Sequence, residues 1–96
     1  MSRARAAASD YGIVKGDESL TVSSTAIALA SVASGSLSAL VTNGAEPIRV
    51  RWGTPTASVG HYLNPYSVLD LYSSMASVKF IRVGGSDSTI HITYFG

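Results

Sequence analysis

The chain has 96 residues, of which 14% are charged and none is cysteine, and its formal net charge is +1. A chain of this length forms one domain, and the lack of cysteine excludes disulfides, thiolate metal ligands and a cysteine nucleophile. The near-zero net charge argues against a nucleic-acid-binding protein, and no apolar run is long enough to span a membrane, so we expect neither among its partners.

The first 16 residues show neither the two-residue period of a strand nor the 3.6-residue period of a helix. Three larger apolar side chains stand close together near the end of this segment: Tyr11, Ile13 and Val14. One interpretation is a terminus without fixed structure. The other is a flexible arm that binds a neighbouring chain through these three side chains and through Arg3 and Arg5. On the second interpretation the arm is mobile in the free domain and ordered only against a partner.

The pattern becomes that of β-strands from Asp17 onward. Leu20 and Val22 alternate with polar residues, and a second alternating segment follows around Ile27, although its alanines also suit a helix. The next predicted strand, residues 37–42, ends at Asn43-Gly44, which is a strong hairpin signal. We therefore expect residues 37–42 to pair antiparallel with residues 47–52.

The central stretch of the chain, residues 46–65, starts as a strand and continues as a loop. Ile48, Val50 and Trp52 fall on one face of that strand, with Arg49 and Arg51 on the other. The loop that follows contains two prolines and two glycines. Because the flanking segments also read as strands, we expect the Trp52 ring to be buried and its replacement by alanine to cost about 3–5 kcal/mol.

Three more strands are predicted after the loop, at residues 66–72, 78–83 and 89–95. Seven to eight short strands with turn residues between them indicate an all-β protein. We predict a compact antiparallel sandwich, jelly-roll-like, over residues 17–96. The side chains expected in its core are those of Ile48, Val50, Trp52, Leu69, Leu71, Ile81, Ile90 and Ile92.

The sequence holds no arrangement typical of an active site. The two histidines, His61 and His91, have no third ligand at a suitable spacing, so we expect no metal and no cofactor. His91 is expected to be a polar partner across two strands. The serines lack the Gly-x-Ser-x-Gly pattern of a nucleophile elbow. We therefore predict no catalytic residues and a protein that is not an enzyme.

Two sets of side chains are candidates for surface contacts. Arg49, Arg51 and Arg82 either form a solvent-exposed face that blocks unwanted strand pairing or a small basic patch for an acidic protein surface. Tyr62, Tyr66 and Tyr72 are candidates for the aromatic platform of a sugar-binding protein. The low charged fraction fits either a surface covered by other proteins or a Ser/Thr-rich β protein that needs few charges.

Two runs carry a resemblance to a known class of proteins: RWGTPTASVGHYLNPYSVLDLYSS, which contains the loop PTAS-x-GH-x-L, and FIRVGGSDSTIHITYF. With them, residues 18–95 resemble small proteins encoded among the structural genes of tailed bacteriophages. The resemblance implies a capsid decoration (cement) protein on the exterior of the virion head. It implies the major capsid protein as partner and a homo-oligomer, with a trimer favoured by the threefold sites of icosahedral shells. A small tail- or fibre-associated protein and a carbohydrate-binding sandwich are the alternatives.

Overall fold

A computed structural model of the chain describes residues 13–72 and 74–96. It contains eight strands and one 3-10 turn. Within these ranges there is no α-helix, and the 3-10 turn (Met75–Ser77) directly precedes the seventh strand. The strands are β1 (Val14–Val22), β2 (Ile27–Ala28), β3 (Ser38–Thr42), β4 (Ile48–Trp52), β5 (His61–Leu63), β6 (Val68–Leu71), β7 (Val78–Arg82) and β8 (Ser88–Phe95).

The strands form two antiparallel four-stranded sheets. Sheet A has the order β1-β8-β3-β6 and sheet B the order β2-β7-β4-β5. The pairing is nested: β1 pairs with β8, β2 with β7, β3 with β6 and β4 with β5. Two further pairings, β3 with β8 and β4 with β7, join these pairs side by side into the sheets. A long hairpin rolled up in this way is a jelly roll, which confirms the predicted fold class.

The core lies between the sheets and consists mainly of the apolar side chains at every second position of the strands. Most of the predicted core is confirmed, because Ile48, Val50, Leu71, Ile90 and Ile92 are fully buried or nearly so and Leu69 packs against them. Ile81 is also buried, but outside this cluster. The core also contains side chains outside the predicted set: Val22, Ala39, Val41, Met75, Val78, Phe80 and Tyr94.

The predicted burial of Trp52 is wrong, because its side chain is 43% exposed. Trp52 alternates correctly with Ile48 and Val50 but is the last residue of β4. The chain turns away at Gly53, whose φ of 123° is one that favours glycine. The indole therefore lies at the rim of the sandwich, where its ring meets the His61 ring edge-on at a centroid distance of 6.2 Å.

The predicted hairpin at Asn43-Gly44 is also wrong, because β3 and β4 lie in different sheets and the segment between them crosses the sandwich. Asn43 is 2% exposed. Its Nδ2 donates to the carbonyl oxygens of Glu46 and Asn64, each at 2.9 Å, and its Oδ1 accepts from Ser88 Oγ at 2.9 Å. Asn43 thus ties the β3–β4 crossing to the β5–β6 crossing and to the start of β8.

The first strand begins earlier than the sequence indicates, since β1 starts at Val14 and not at Asp17. A register shift between Val14 and Gly16 interrupts the alternation there and explains why the period-2 pattern is hidden. Ile13 continues the pairing by exchanging two backbone hydrogen bonds with Gly96, at 2.9 and 2.8 Å. Residues 14–16, predicted to be part of the arm, therefore belong to sheet A.

One carboxylate faces the core side of sheet A. Glu18 lies opposite Ile92 in β8, and its Oε2 accepts hydrogen bonds from the Tyr94 hydroxyl at 2.5 Å and from the Ser31 backbone N–H at 2.9 Å. Tyr94 is fully buried. Burial raises the pKa of the Tyr94 hydroxyl above its ordinary value, and the hydrogen bond to Glu18 and the Glu18 charge add to the rise.

This raised pKa predicts a loss of stability in alkaline solution. Below about pH 10 Tyr94 is protonated in both states, and above it the unfolded chain loses a proton that the folded protein keeps. The free energy of unfolding should therefore fall as the pH rises above about 10. Urea titrations of the wild type and of Tyr94→Phe between pH 8 and pH 11 measure this, with Tyr66→Phe, at an exposed site, as control. An equally steep decline in the Tyr94→Phe variant would contradict the prediction.

Candidate interaction surfaces

The β4–β5 loop, residues 53–60, is held against sheet B by two arginines. Arg49 Nε donates to the Ala57 carbonyl oxygen at 3.0 Å and its Nη1 to the Gly60 carbonyl oxygen at 2.9 Å, while Arg51 Nη1 donates to the Thr54 carbonyl oxygen at 3.2 Å. Gly60 has a φ of 132°, and a Cβ atom there would lie 3.0 Å from a backbone oxygen of β4. These contacts give the loop one defined shape.

The outer face of sheet B is basic, but its composition differs from the predicted patch. Arg49 and Arg51 lie on this face, and Lys79 of β7 lies directly opposite Arg51. Arg82 does not join them, because it is opposite Ile48 in register and forms an ion pair with Asp87 at 2.6 Å. Side chains alternate along β7, so Lys79 and Arg82 fall on opposite faces of the sheet. This alternation could have shown from the sequence that Lys79, and not Arg82, lies beside Arg49 and Arg51.

The three candidate tyrosines do not form one platform. Tyr62, in β5 of sheet B, lies opposite Arg49, and the Arg49 guanidinium carbon is 5.4 Å from its ring centroid. Tyr66 lies in the β5–β6 connection with a φ of 61°. Tyr72 follows β6 in sheet A. Each is exposed, but Tyr62 and Tyr72 belong to different sheets.

His91 lies across from Ser19 on the outer face of sheet A, as predicted for a polar partner between strands. Its Nδ1 is 3.1 Å from Ser19 Oγ, and its Nε2 is 3.7 Å from Asp17 Oδ2. All three side chains are exposed to solvent. The contacts are those of a cross-strand polar cluster, which stabilises the pairing of β1 with β8.

One end of the sandwich is apolar. We call it the apolar end, and it consists of the β2–β3 loop (residues 29–37), the β4–β5 loop with Trp52 directly before it, the β6–β7 connection (residues 72 and 74–77), and Ile13 together with Val14, the first residue of β1. A backbone hydrogen bond from Gly53 N–H to the Ser77 carbonyl oxygen, at 2.8 Å, joins the β4–β5 loop to the β6–β7 connection. Another of 2.8 Å, from Leu37 N–H to the Phe95 carbonyl oxygen, attaches the β2–β3 loop to the end of β8.

Exposed hydrophobic side chains concentrate at this end. Among the described residues ten large hydrophobic side chains are exposed, and seven of them belong to the apolar end: Ile13, Val14, Val32, Leu37, Trp52, Val59 and Tyr72. Its three loops contain no charged residue, and the exposed Lys15 of β1 lies beside one of them, at Gly35. The opposite end differs, since its connections carry Glu46 and Asp87. Depletion of charge together with exposed apolar groups is typical of the centre of a protein–protein interface.

The predicted arm is described only in its last residues. Arg3, Arg5 and Tyr11 lie outside the described residues. Ile13 and Val14 are both exposed and lie at the apolar end, next to Gly96 and Phe95 respectively. Two of the five predicted contact residues of the arm are therefore placed beside a surface that the sequence alone did not indicate.

No protein family, no curated protein and no solved structure matches this chain. Within residues 13–72 and 74–96 there is no cavity and no cluster of three potential metal ligands. The same residues contain no helix that is long and apolar enough to cross a membrane.

Proposed function

We propose that this chain is a capsid decoration protein of a tailed bacteriophage, without catalytic activity or cofactor, which binds the major capsid protein on the outside of the head and stabilises contacts between capsomers. The observation that carries the proposal is the apolar end, with its seven exposed hydrophobic side chains and three uncharged loops. The resemblance of residues 18–95 to virion proteins supplies the identity of the partner.

The distribution of side chains supports docking by one end. A free monomer gains nothing from grouping exposed apolar side chains at one site, whereas a bound one removes them from water at roughly 25 cal/mol per Å². The β4–β5 loop is fixed by Arg49 and Arg51, so it loses little conformational freedom on binding. A small domain with modest stability of its own is further stabilised by association.

The same proposal includes a homotrimer at the threefold sites of the shell. Three copies around one axis bind with an avidity that no single copy has. Sedimentation equilibrium of the purified chain, and its copy number per head, measure this directly. A strictly monomeric chain on the head would remove the trimer from the proposal.

Substitution at the apolar end should weaken binding to heads. Leu37 is 73% exposed, so Leu37→Ser should leave the free energy of unfolding within about 0.5 kcal/mol of the wild type. The double variant Leu37→Ser with Val14→Thr should bind at least tenfold more weakly to heads assembled without this protein, because the apolar contact is lost. Co-sedimentation with such heads gives the affinity. Val68→Ser is the matched control, since Val68 is 52% exposed but lies away from the apolar end.

The mechanical role is tested on whole virions. Heads that lack the protein should lose their DNA at lower temperature and lower chelator concentration than complete heads. Equal resistance of the two kinds of head, together with no binding of the chain to empty capsids, would overturn the capsid proposal. Immunogold labelling distinguishes the head from a tail or fibre location.

A carbohydrate-binding role is the second candidate, favoured by the exposed Tyr62 ring on the outer face of sheet B. Trp52 lies on the other face of β4, so a sugar would stack on Tyr62 alone. Stacking on sugars needs such rings. A glycan array with Tyr62→Ala as control tests it: binding that depends on Tyr62 would favour this role over the structural one.

A further inference from the structure

The outer face of sheet B contains a pairing that is unfavourable for the free protein. Arg51 and Lys79 are direct neighbours across β4 and β7, so their Cα atoms are about 4.5–5.5 Å apart. Arg49 lies two residues along β4 on the same face. Like charges directly opposite each other destabilise a sheet. An unfavourable pair of this kind, retained in a folded protein, is typical of a binding site.

No acidic side chain among the described strand residues of this face offsets the three positive charges. The outward residues of its four strands, in the register of the pairing, are Ala28, Lys79, Ile81, Arg49, Arg51 and Tyr62. The hydrogen bonds of Arg49 and Arg51 to the β4–β5 loop go to backbone carbonyl oxygens, which orient the guanidinium groups but carry no net charge. The face therefore holds three positive charges, of which the two guanidiniums are fixed in place.

We propose that this basic face is a second binding surface, which takes a protein surface with closely spaced carboxylates, and that it acts together with the apolar end. The inference rests on the proposed function for the identity of that protein. The two surfaces are continuous, because the β4–β5 loop belongs to the apolar end and is held by Arg49 and Arg51 of the basic face. A partner that covers the loop reaches both.

Shape and charge favour an acidic protein over other anions. A small anion or sugar acid needs a concave site, and the described residues contain no cavity. A nucleic acid needs many phosphate contacts to bind at physiological salt, and this face supplies three cations. Guanidinium groups match carboxylates in planar pairs, and the neighbouring Tyr62 ring adds apolar area. A flat, acidic protein surface fits these features together.

Neutralising the face should separate binding from stability. The double variant Arg51→Gln with Lys79→Gln should bind heads at least tenfold more weakly at about 0.05 M salt, and the difference should shrink at about 0.5 M salt because charges are then screened. The single variant Lys79→Gln, which keeps the Arg51 hydrogen bond to Thr54, should melt at a higher temperature than the wild type, since the repulsive pair is gone. The control is Thr21→Glu with Val68→Glu, which changes the net charge equally but on sheet A, and it should bind like the wild type.

The outcomes distinguish this inference from the capsid proposal. If the wild type does not bind heads, the capsid proposal fails, and poly-L-glutamate then serves as probe: binding that the Arg51/Lys79 variant loses and the control keeps supports the basic face. If heads are bound and the two double variants behave alike, the inference is overturned while the capsid proposal stands. Binding of duplex DNA at about 0.15 M salt that is lost in the Arg51/Lys79 variant would also overturn it.

Discussion

Replacing Asn43 by alanine is expected to lower the free energy of unfolding by about 2–4 kcal/mol. The substitution removes all four side-chain hydrogen bonds of Asn43 and leaves the carbonyl oxygens of Glu46 and Asn64, and the buried Ser88 hydroxyl, without this partner. A domain of this size has roughly 5–15 kcal/mol of total stability, so the loss is a large part of it. Urea denaturation followed by circular dichroism measures the difference.

A matched control is available in the neighbouring connection. Asn64→Ala removes an exposed side chain and leaves the backbone carbonyl that Asn43 contacts, and it should change the free energy of unfolding by less than about 0.5 kcal/mol. The variant Asn43→Asp keeps the volume but loses the Nδ2 donor, and should be nearly as unstable as Asn43→Ala. Two variants as stable as the wild type would show that the crossing is held by other contacts.

The second large effect is expected at Phe80, in the middle of β7. Its ring is fully buried between the sheets, and Phe80→Ala should cost about 3–5 kcal/mol through lost burial and the cavity left behind. Trp52→Ala removes a larger side chain from the rim and should cost less than about 1.5 kcal/mol, because much of the ring remains in water in the folded state.

The two variants are best compared in one experiment. Thermal unfolding by circular dichroism suits both, since it does not depend on the indole that Trp52→Ala removes. The expected order is wild type, then Trp52→Ala, then Phe80→Ala, the last near or beyond the limit of stable folding. The reverse order, with Trp52→Ala the more damaging, would mean that the indole is covered by protein in the free domain.

The alternation of apolar and polar side chains was enough to predict strands and a sandwich, because a strand with one buried face has apolar residues at every second position. It identified Ile48, Val50, Ile90 and Ile92 as core residues, all of which are buried. It could not predict which strands pair. The Asn43-Gly44 pair is typical of hairpins, yet here the asparagine amide forms hydrogen bonds with residues 64 and 88. These residues are distant in the sequence, so the residues around Asn43 do not predict the contacts.

The candidate surfaces were predictable to a smaller extent. Arg49 and Arg51 were correctly placed on one face, while the neighbour that completes the basic face, Lys79, is brought there by the pairing of β4 with β7. The apolar end depends on topology too. Its three loops are separated along the chain by at least ten residues and become one surface only because alternate connections of a jelly roll lie at the same end.

The nested pairing also decides when the protein can fold during its synthesis. β8, the last strand, lies between β1 and β3 in sheet A, so the sheet has no centre until residues 88–95 have left the ribosome. At about 5–20 residues per second a ribosome takes several seconds to make this chain, and for most of that time the apolar strands β1 and β3 have no partner between them. Sheet A is therefore expected to assemble only after residues 88–95 have emerged, with slow kinetics typical of non-local β-structure. Removal of β8 should abolish folding altogether.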